Sequence, residues 1–116
     1  MVYFILCDGG IAPRYAKIGC CKSEDVEQRL RKLQTGCPYP LRVIFTIEGD
    51  HEVEKAVHRE LRLWHRRGEW YEMTEQVLAW VNDEAADFAA AIMASGVTFD
   101  YGHYNKYSAG DNRGGK

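Results

Sequence analysis

The sequence predicts one α+β domain, a small three-stranded antiparallel sheet flanked by helices in the order ββαβα(β)α. Short stretches with the two-residue period of strands alternate with longer stretches in which apolar residues recur at helical spacing. The 116 residues, 46% of them hydrophobic, are enough for one core and too few for two. We find no internal repeat and no linker, so we expect residues 1–96 to form the domain and residues 97–116, rich in Gly, Asn, Tyr and Ser, to form a flexible tail.

The first two strands are expected to form a hairpin. Val2–Cys7 is an apolar run with β-branched and aromatic residues that ends at a turn containing two glycines, and Tyr15–Cys20 follows as its partner. Alternation puts Tyr15 and Lys17 on one face of the second strand and Tyr3 on one face of the first. If the register brings these faces together, the three side chains cluster beside the first helix.

Ser23 is the expected N-cap of that helix, which should end at Gly36, ahead of two prolines. Arg29 lies beside the apolar stripe, so it can flank the sheet and hold a phosphate through its planar guanidinium. The stripe itself consists of Val26, Leu30 and Leu33.

The second half of the chain alternates between strand and helix patterns. Leu41–Ile47 has the period of a third strand, and a second helix is expected from about Asp50 to Arg67, ended by Gly68. Residues 70–73 form a short extended piece, and a third helix should run from about Thr74 to Ser95.

The net charge is −2, but the charged residues are unevenly distributed along the chain. Residues 11–44 hold seven basic and three acidic residues, whereas residues 73–100 hold five acidic residues and no basic one. Such a chain can present a basic surface to an anion and have an acidic surface on its other side. The same charge distribution also occurs on ordinary solvated surfaces.

Several classes of protein are disfavoured by what the sequence lacks. It contains no Walker loop, GxGxxG, HExxH or GxSxG motif. No apolar run is long enough for a membrane span and the first residues do not resemble a signal peptide, so we expect a cytoplasmic protein with no membrane partner. The four cysteines include no CxxC pair and are expected to be reduced thiols, with a zinc site that combines some of them with a histidine as the alternative.

The second helix carries the residues best suited to chemistry. His51, Glu54, His58 and His65 are spaced by three, four and seven residues, which keeps them on one face. Glu54 and His58 can therefore meet a common ligand, such as a divalent ion with its water, or the carboxylate can orient a general base. A solvated Glu–His surface pair is the ordinary alternative.

Five segments together resemble the GIY-YIG nuclease superfamily, most closely its short branch of phage and bacterial proteins. The resemblance covers about Val2 to Met73, and its later motifs are the more specific ones. The segments, in order, are "VYFI" from Val2, "YAKIG" from Tyr15, "RLRKLQTGCPYPL" from Arg29, "EKAVH" from Glu54 and "GEWY" from Gly68.

The resemblance implies hydrolysis of DNA phosphodiesters with one divalent ion, Mg²⁺ or Mn²⁺. In that scheme Tyr3 activates or orients the attacking water, and Arg29 stabilises the developing charge on the phosphate. Glu54 holds the metal, which acts as a Lewis acid. His58 matches a histidine of the branch and is a candidate for proton transfer or for a phosphate contact.

The chain departs from the superfamily at Lys17, which stands where the second motif has a tyrosine. Tyr15 is a candidate to replace that tyrosine, or the ammonium group of Lys17 contacts phosphate directly. Two roles are open for Glu69: a carboxylate that belongs to the site, or a residue that only caps the turn. The downstream asparagine motif of the larger enzymes is missing.

The leading hypothesis is therefore a metal-dependent DNA endonuclease or nickase, with DNA as its partner. The alternative is a catalytically inactive DNA-binding module of the same fold, and a third class is an interaction domain or small metal protein built on His51, Glu54, His58 and cysteines. The oligomeric state and the DNA specificity do not follow from the sequence. The residues expected to contact DNA are Arg14, Lys17, Lys22, Arg29, Arg31 and Lys32.

Overall fold

The computed structural model describes residues 1–9 and 13–96, and within them five strands form one antiparallel sheet on which four α-helices pack. The expected tail, residues 97–116, lies outside the described residues. The α+β class predicted from the sequence is confirmed. The strands are β1 (Val2–Cys7), β2 (Tyr15–Cys20), β3 (Leu41–Ile47), β4 (His65–Arg67) and β5 (Trp70–Glu72), and their order in the sheet is β3-β1-β2-β5-β4. The helices are α1 (Val26–Thr35), α2 (His51–Glu60), α3 (Glu75–Asp83) and α4 (Ala85–Ser95).

The register of the central hairpin places the predicted side chains on one face. Tyr3 of β1 lies opposite Gly19 of β2, and Ile5 lies opposite Lys17. Because paired residues of antiparallel strands point to the same side, Tyr3, Lys17 and Gly19 share a face of the sheet. The β1–β2 hairpin expected from the sequence is thus present.

The two faces of the sheet build two apolar clusters. α1 covers the face of Tyr3 and Ile5, where Val26 and Leu41 complete a small cluster. The opposite face carries the larger core, to which α2, α3 and α4 contribute. Its buried strand residues include Val2, Phe4, Leu6, Ala16 and Ile18, and its helical ones include Val53, Val57, Val77, Val81 and Ala89.

The predicted end of the second helix is wrong. α2 ends at Glu60, a 3₁₀ turn covers Arg62–Trp64, and His65–Arg67 is a strand rather than the last helical turn. Gly68 has a φ of 52°, a left-handed conformation that suits the turn of the β4–β5 hairpin. β5 is the short extended piece expected at residues 70–73, and it joins the sheet by pairing with β2. β4, which pairs with β5, was not expected.

Two further helix boundaries differ from the prediction. Ser23 begins a 3₁₀ turn and does not cap α1, which starts at Val26. The expected third helix is divided at Glu84, whose φ of −127° departs from helical geometry. The break lets α4 pack against both α2 and β3 while α3 packs on α4. In the part of the chain that is described, no helix is both long and apolar enough to cross a lipid bilayer.

Candidate active site

A cleft of about 570 Å³ opens where β1 begins and β2 ends. The pairing of β5 with β2 covers Tyr15, Ala16 and Lys17. The next residue of β2, Ile18, forms hydrogen bonds with two residues outside β5. The Ile18 N–H donates to the backbone carbonyl of Glu69 at 2.9 Å, and the Ile18 carbonyl accepts from His58 Nε2 at 2.8 Å. The end of β2 is thereby tied to two of the residues that the sequence indicated.

Glu54 contributes a largely buried carboxylate to the cleft. Asp50 caps α2 by accepting from the N–H groups of Glu52 and Val53, and this fixes Glu54 in the first turn, where its side chain is only 12% exposed. Burial, together with a smaller effect of the nearby charge of Glu69, raises the pKa of Glu54 to about 7, and His51 opposes the shift. Its Oε1 lies 3.1 Å from His51 Nδ1.

His58 is fully buried behind Glu54. A carbonyl can only accept, so the contact with Ile18 places a hydrogen on His58 Nε2, which lies 3.8 Å from Glu54 Oε2. The imidazole ring also packs beside the Tyr71 ring at a centroid distance of 5.2 Å. In this position His58 supports the carboxylate of Glu54 from the core side.

Glu69 brings a second carboxylate to the same place from the β4–β5 turn. Ligand atoms of Glu54, His58 and Glu69 all lie within 4.8 Å of one another. Lys17 Nζ pairs with Glu69 Oε1 at 3.1 Å and lies 6.0 Å from the centroid of the Trp70 ring. The structure therefore places Glu69 beside Glu54, and Lys17 beside Glu69.

Tyr3 and Arg29 approach from the α1 side of the sheet. Arg29 donates a long hydrogen bond of 3.5 Å to the Tyr3 hydroxyl. Burial raises the pKa of Tyr3 to about 12, although the charge of Arg29 opposes the shift. The phenol is therefore protonated near neutral pH and can donate a hydrogen bond.

The other predicted residues form two groups, one on the side of the cleft and one away from it. Lys22 lines the cleft, and Lys32 follows Arg29 by three residues, which places it on the same side of α1. Tyr15 pairs with Cys7 and with Glu72 at the far end of β2, and Arg14 precedes it. Arg31, two residues after Arg29, points to another side of α1.

Cys20 and Asp50 also line the cleft, and neither was among the residues predicted for it. Strand alternation separates Cys20 from Cys21, but it does not show that Cys20 faces the start of α2. That proximity depends on how α2 crosses the sheet, which the sequence pattern does not specify.

The two carboxylates supply oxygen ligands, the class that Mg²⁺ and Mn²⁺ take in proteins, so the donor set fits such an ion. Without a cation the two carboxylates repel each other, and this repulsion adds to the effect of burial in raising the pKa of Glu54. A bound cation would relieve this repulsion.

The fold and the cleft define a small α+β domain in which the carboxylates of Glu54 and Glu69 share a cleft with Arg29 and Tyr3. His58 lies behind Glu54, and Lys17 pairs with Glu69. The family model of the T5orf172 domain matches residues 1–85, and the chain belongs to this family. Comparison with curated proteins and with solved structures gave no match.

Proposed function

We propose that the chain is a metal-dependent DNA endonuclease or nickase of the GIY-YIG type that hydrolyses phosphodiester bonds. The observation that carries the proposal is the buried Glu54 beside Glu69 in the cleft that Arg29 also lines. The T5orf172 family supports it, since this phage-associated domain is often linked to nuclease-type domains.

Glu54 would hold the divalent ion, with Glu69 as a second carboxylate ligand. When bound, Mg²⁺ or Mn²⁺ supplies Lewis-acid stabilisation of the negative charge that grows on the phosphate and on the leaving oxygen. His58, which is held by its bond to the Ile18 carbonyl, would limit the movement of Glu54 by packing 3.8 Å from its Oε2. Lys17 would hold Glu69 through their ion pair.

Arg29 and Tyr3 would act on the phosphate and on the attacking water. The guanidinium of Arg29 is largely solvent-accessible, so it can bind a phosphate oxygen and stabilise charge there. Tyr3 keeps its proton near neutral pH, so its hydroxyl orients the water by hydrogen bonding and does not serve as a phenolate base. Lys17 offers an ammonium group that can reach a phosphate while it holds Glu69.

The charge distribution across the sheet supports DNA as the substrate. Lys22, Arg29 and Lys32 lie on the α1 side, whereas the acidic α3 and α4 belong to the opposite face. Arg14 and Arg31 lie away from the cleft, and we propose that they contact the DNA backbone on a wider footprint.

Cleavage of supercoiled plasmid tests the proposal. We expect the protein to produce nicked or linear DNA with Mg²⁺ or Mn²⁺ and neither product with EDTA. Salt-sensitive DNA binding without cleavage of any DNA form would instead favour the binding module of the same fold. Absence of DNA binding at low salt would contradict both functions.

A further inference from the structure

A second group of potential metal ligands lies on the other side of Glu54. The Cys20 thiol, a ring nitrogen of His51 and a carboxylate oxygen of Glu54 all lie within 4.8 Å of one another. This group differs in chemistry from the Glu54–Glu69 pair, because it combines sulfur, nitrogen and oxygen donors.

The fold explains why these three residues meet. Cys20 is the last residue of β2 and lies opposite Val2, whose side chain belongs to the core on the α2 side. His51 is the first residue of α2, and Glu54 follows one turn later. The group therefore spans the gap between the end of β2 and the start of α2.

We propose that Cys20, His51 and Glu54 form a binding site for Zn²⁺. Thiolate and imidazole select Zn²⁺ over Mg²⁺, which prefers oxygen ligands. Binding transfers the Cys20 thiol proton to solvent, since the thiolate is the ligand. Three protein ligands would leave one coordination position for a water molecule, as in open zinc sites.

The observed separations suit a zinc ion after a small adjustment. Bonds of about 2.0–2.3 Å in a tetrahedral site put ligand atoms roughly 3.3–3.8 Å apart. Glu54 and His51 already lie 3.1 Å apart at Oε1 and Nδ1. The His51 side chain is 76% exposed, so it can move to follow the ion.

The proposed zinc site does not depend on the proposed nuclease activity. The Glu54 carboxylate presents Oε1 to His51 and Oε2 to His58, so it is shared between the zinc group and the carboxylate pair. A bound Zn²⁺ would join β2 to α2 and stabilise the folded state through binding linkage. This effect is measurable with no DNA present.

Metal binding to the reduced full-length protein tests the inference. Titration with Co²⁺, a spectroscopic substitute for Zn²⁺, should give a thiolate-to-metal charge-transfer band. Addition of Zn²⁺ should abolish this band by displacing Co²⁺. Cys20→Ser should remove the band and weaken Zn²⁺ binding by about 100-fold, and His51→Ala should weaken it by about 10-fold or more. His51 is exposed, so its substitution leaves the fold intact and tests the site even if Cys20→Ser is unstable.

Cys21→Ser is the matched control. Cys21 packs on the α1 side with the cluster of Tyr3 and Val26, so this variant should keep the band and the affinity of the wild type. Zn²⁺ should also raise the melting temperature of the wild type and of Cys21→Ser more than that of His51→Ala. Absence of the band in the wild type, or equal Zn²⁺ affinities in the wild type and His51→Ala, would overturn the proposal.

Discussion

The ring of Tyr3 occupies the space that a side chain on Gly19 would need: a Cβ built on Gly19 would lie 2.6 Å from the Tyr3 ring carbon Cζ. The two residues face each other across β1 and β2, so this close approach is set by strand register. Gly19 therefore allows the hydroxyl of Tyr3 to reach Arg29 at the cleft.

Gly19→Ala should displace the Tyr3 ring and reduce both stability and the proposed cleavage. Forcing a methyl group into this packed contact should cost about 1–3 kcal/mol of unfolding free energy, measured by urea denaturation. Gly36→Ala is the control, because no atom lies within 4 Å of a Cβ at that position. Equal stability of the two variants would show that the contact between Tyr3 and Gly19 is not tight.

His58→Leu should destabilise the protein because it leaves the buried Ile18 carbonyl without the donor at 2.8 Å. The expected loss is about 1–3 kcal/mol, again measured by urea denaturation. His51→Ala, on the same helix but exposed, should change the stability of the metal-free protein by less than about 0.5 kcal/mol. If the two substitutions cost the same, His58 does not have the buried positioning role assigned to it.

Glu54 should make the metal-free protein less stable as the pH rises. Its pKa is raised from 4.5 to about 7 in the folded state, so the folded protein retains a proton that the unfolded chain releases in this range. The stabilising contribution of the protonated carboxyl is complete below the unfolded pKa and is lost as the pH rises through about 7.

Glu54→Gln removes this titration. In EDTA, the variant should gain stability relative to the wild type by about 1 kcal/mol or more between about pH 5 and pH 8. Glu52→Gln, which changes a partly buried glutamate of the same helix turn that pairs with Lys55, should alter this pH dependence less. A difference between Glu54→Gln and the wild type that does not vary with pH would refute the raised pKa.

Arg29 and Arg31 should differ in their effects on DNA cleavage. Arg29 contacts Tyr3 and lines the cleft, so Arg29→Ala should lower the cleavage rate at saturating DNA by about 100-fold. Arg31 points to another side of α1, so Arg31→Ala should weaken DNA binding and leave the saturated rate nearly unchanged. Single-turnover rates and salt-dependent affinities distinguish the two effects, and a similar loss of rate in both variants would contradict the assigned role of Arg29.

Much of the fold follows from local sequence patterns. The apolar run of β1 with the turn that follows it predicts the hairpin, and the stripe of Val26, Leu30 and Leu33 predicts α1. The end of α2 was missed because the helical spacing of apolar residues continues to Trp64, past the last helical residue, Glu60. Pairing of β5 with β2 decides the conformation there, and this pairing is not local.

The candidate site was predictable where its residues lie close together in sequence. Glu54 and His58 are one helical turn apart, so the sequence brings them together directly. Glu69 and Cys20 come from a turn and a strand end, and their approach to Glu54 depends on sheet order and on the position of α2. The interruption of the third helix at Glu84 has no glycine or proline to signal it and follows from packing of α4 on α2 and β3.

Plasmid cleavage by Glu54→Gln tests the central claim most directly. Glutamine keeps the size of the side chain but cannot supply the charged ligand, so the variant should lose at least about 100-fold of the Mg²⁺-dependent rate. Glu52→Gln, at a glutamate of the same helix that pairs with Lys55 and does not line the cleft, should cleave like the wild type. Cleavage by Glu54→Gln at the wild-type rate would contradict the assignment of Glu54 as the metal ligand.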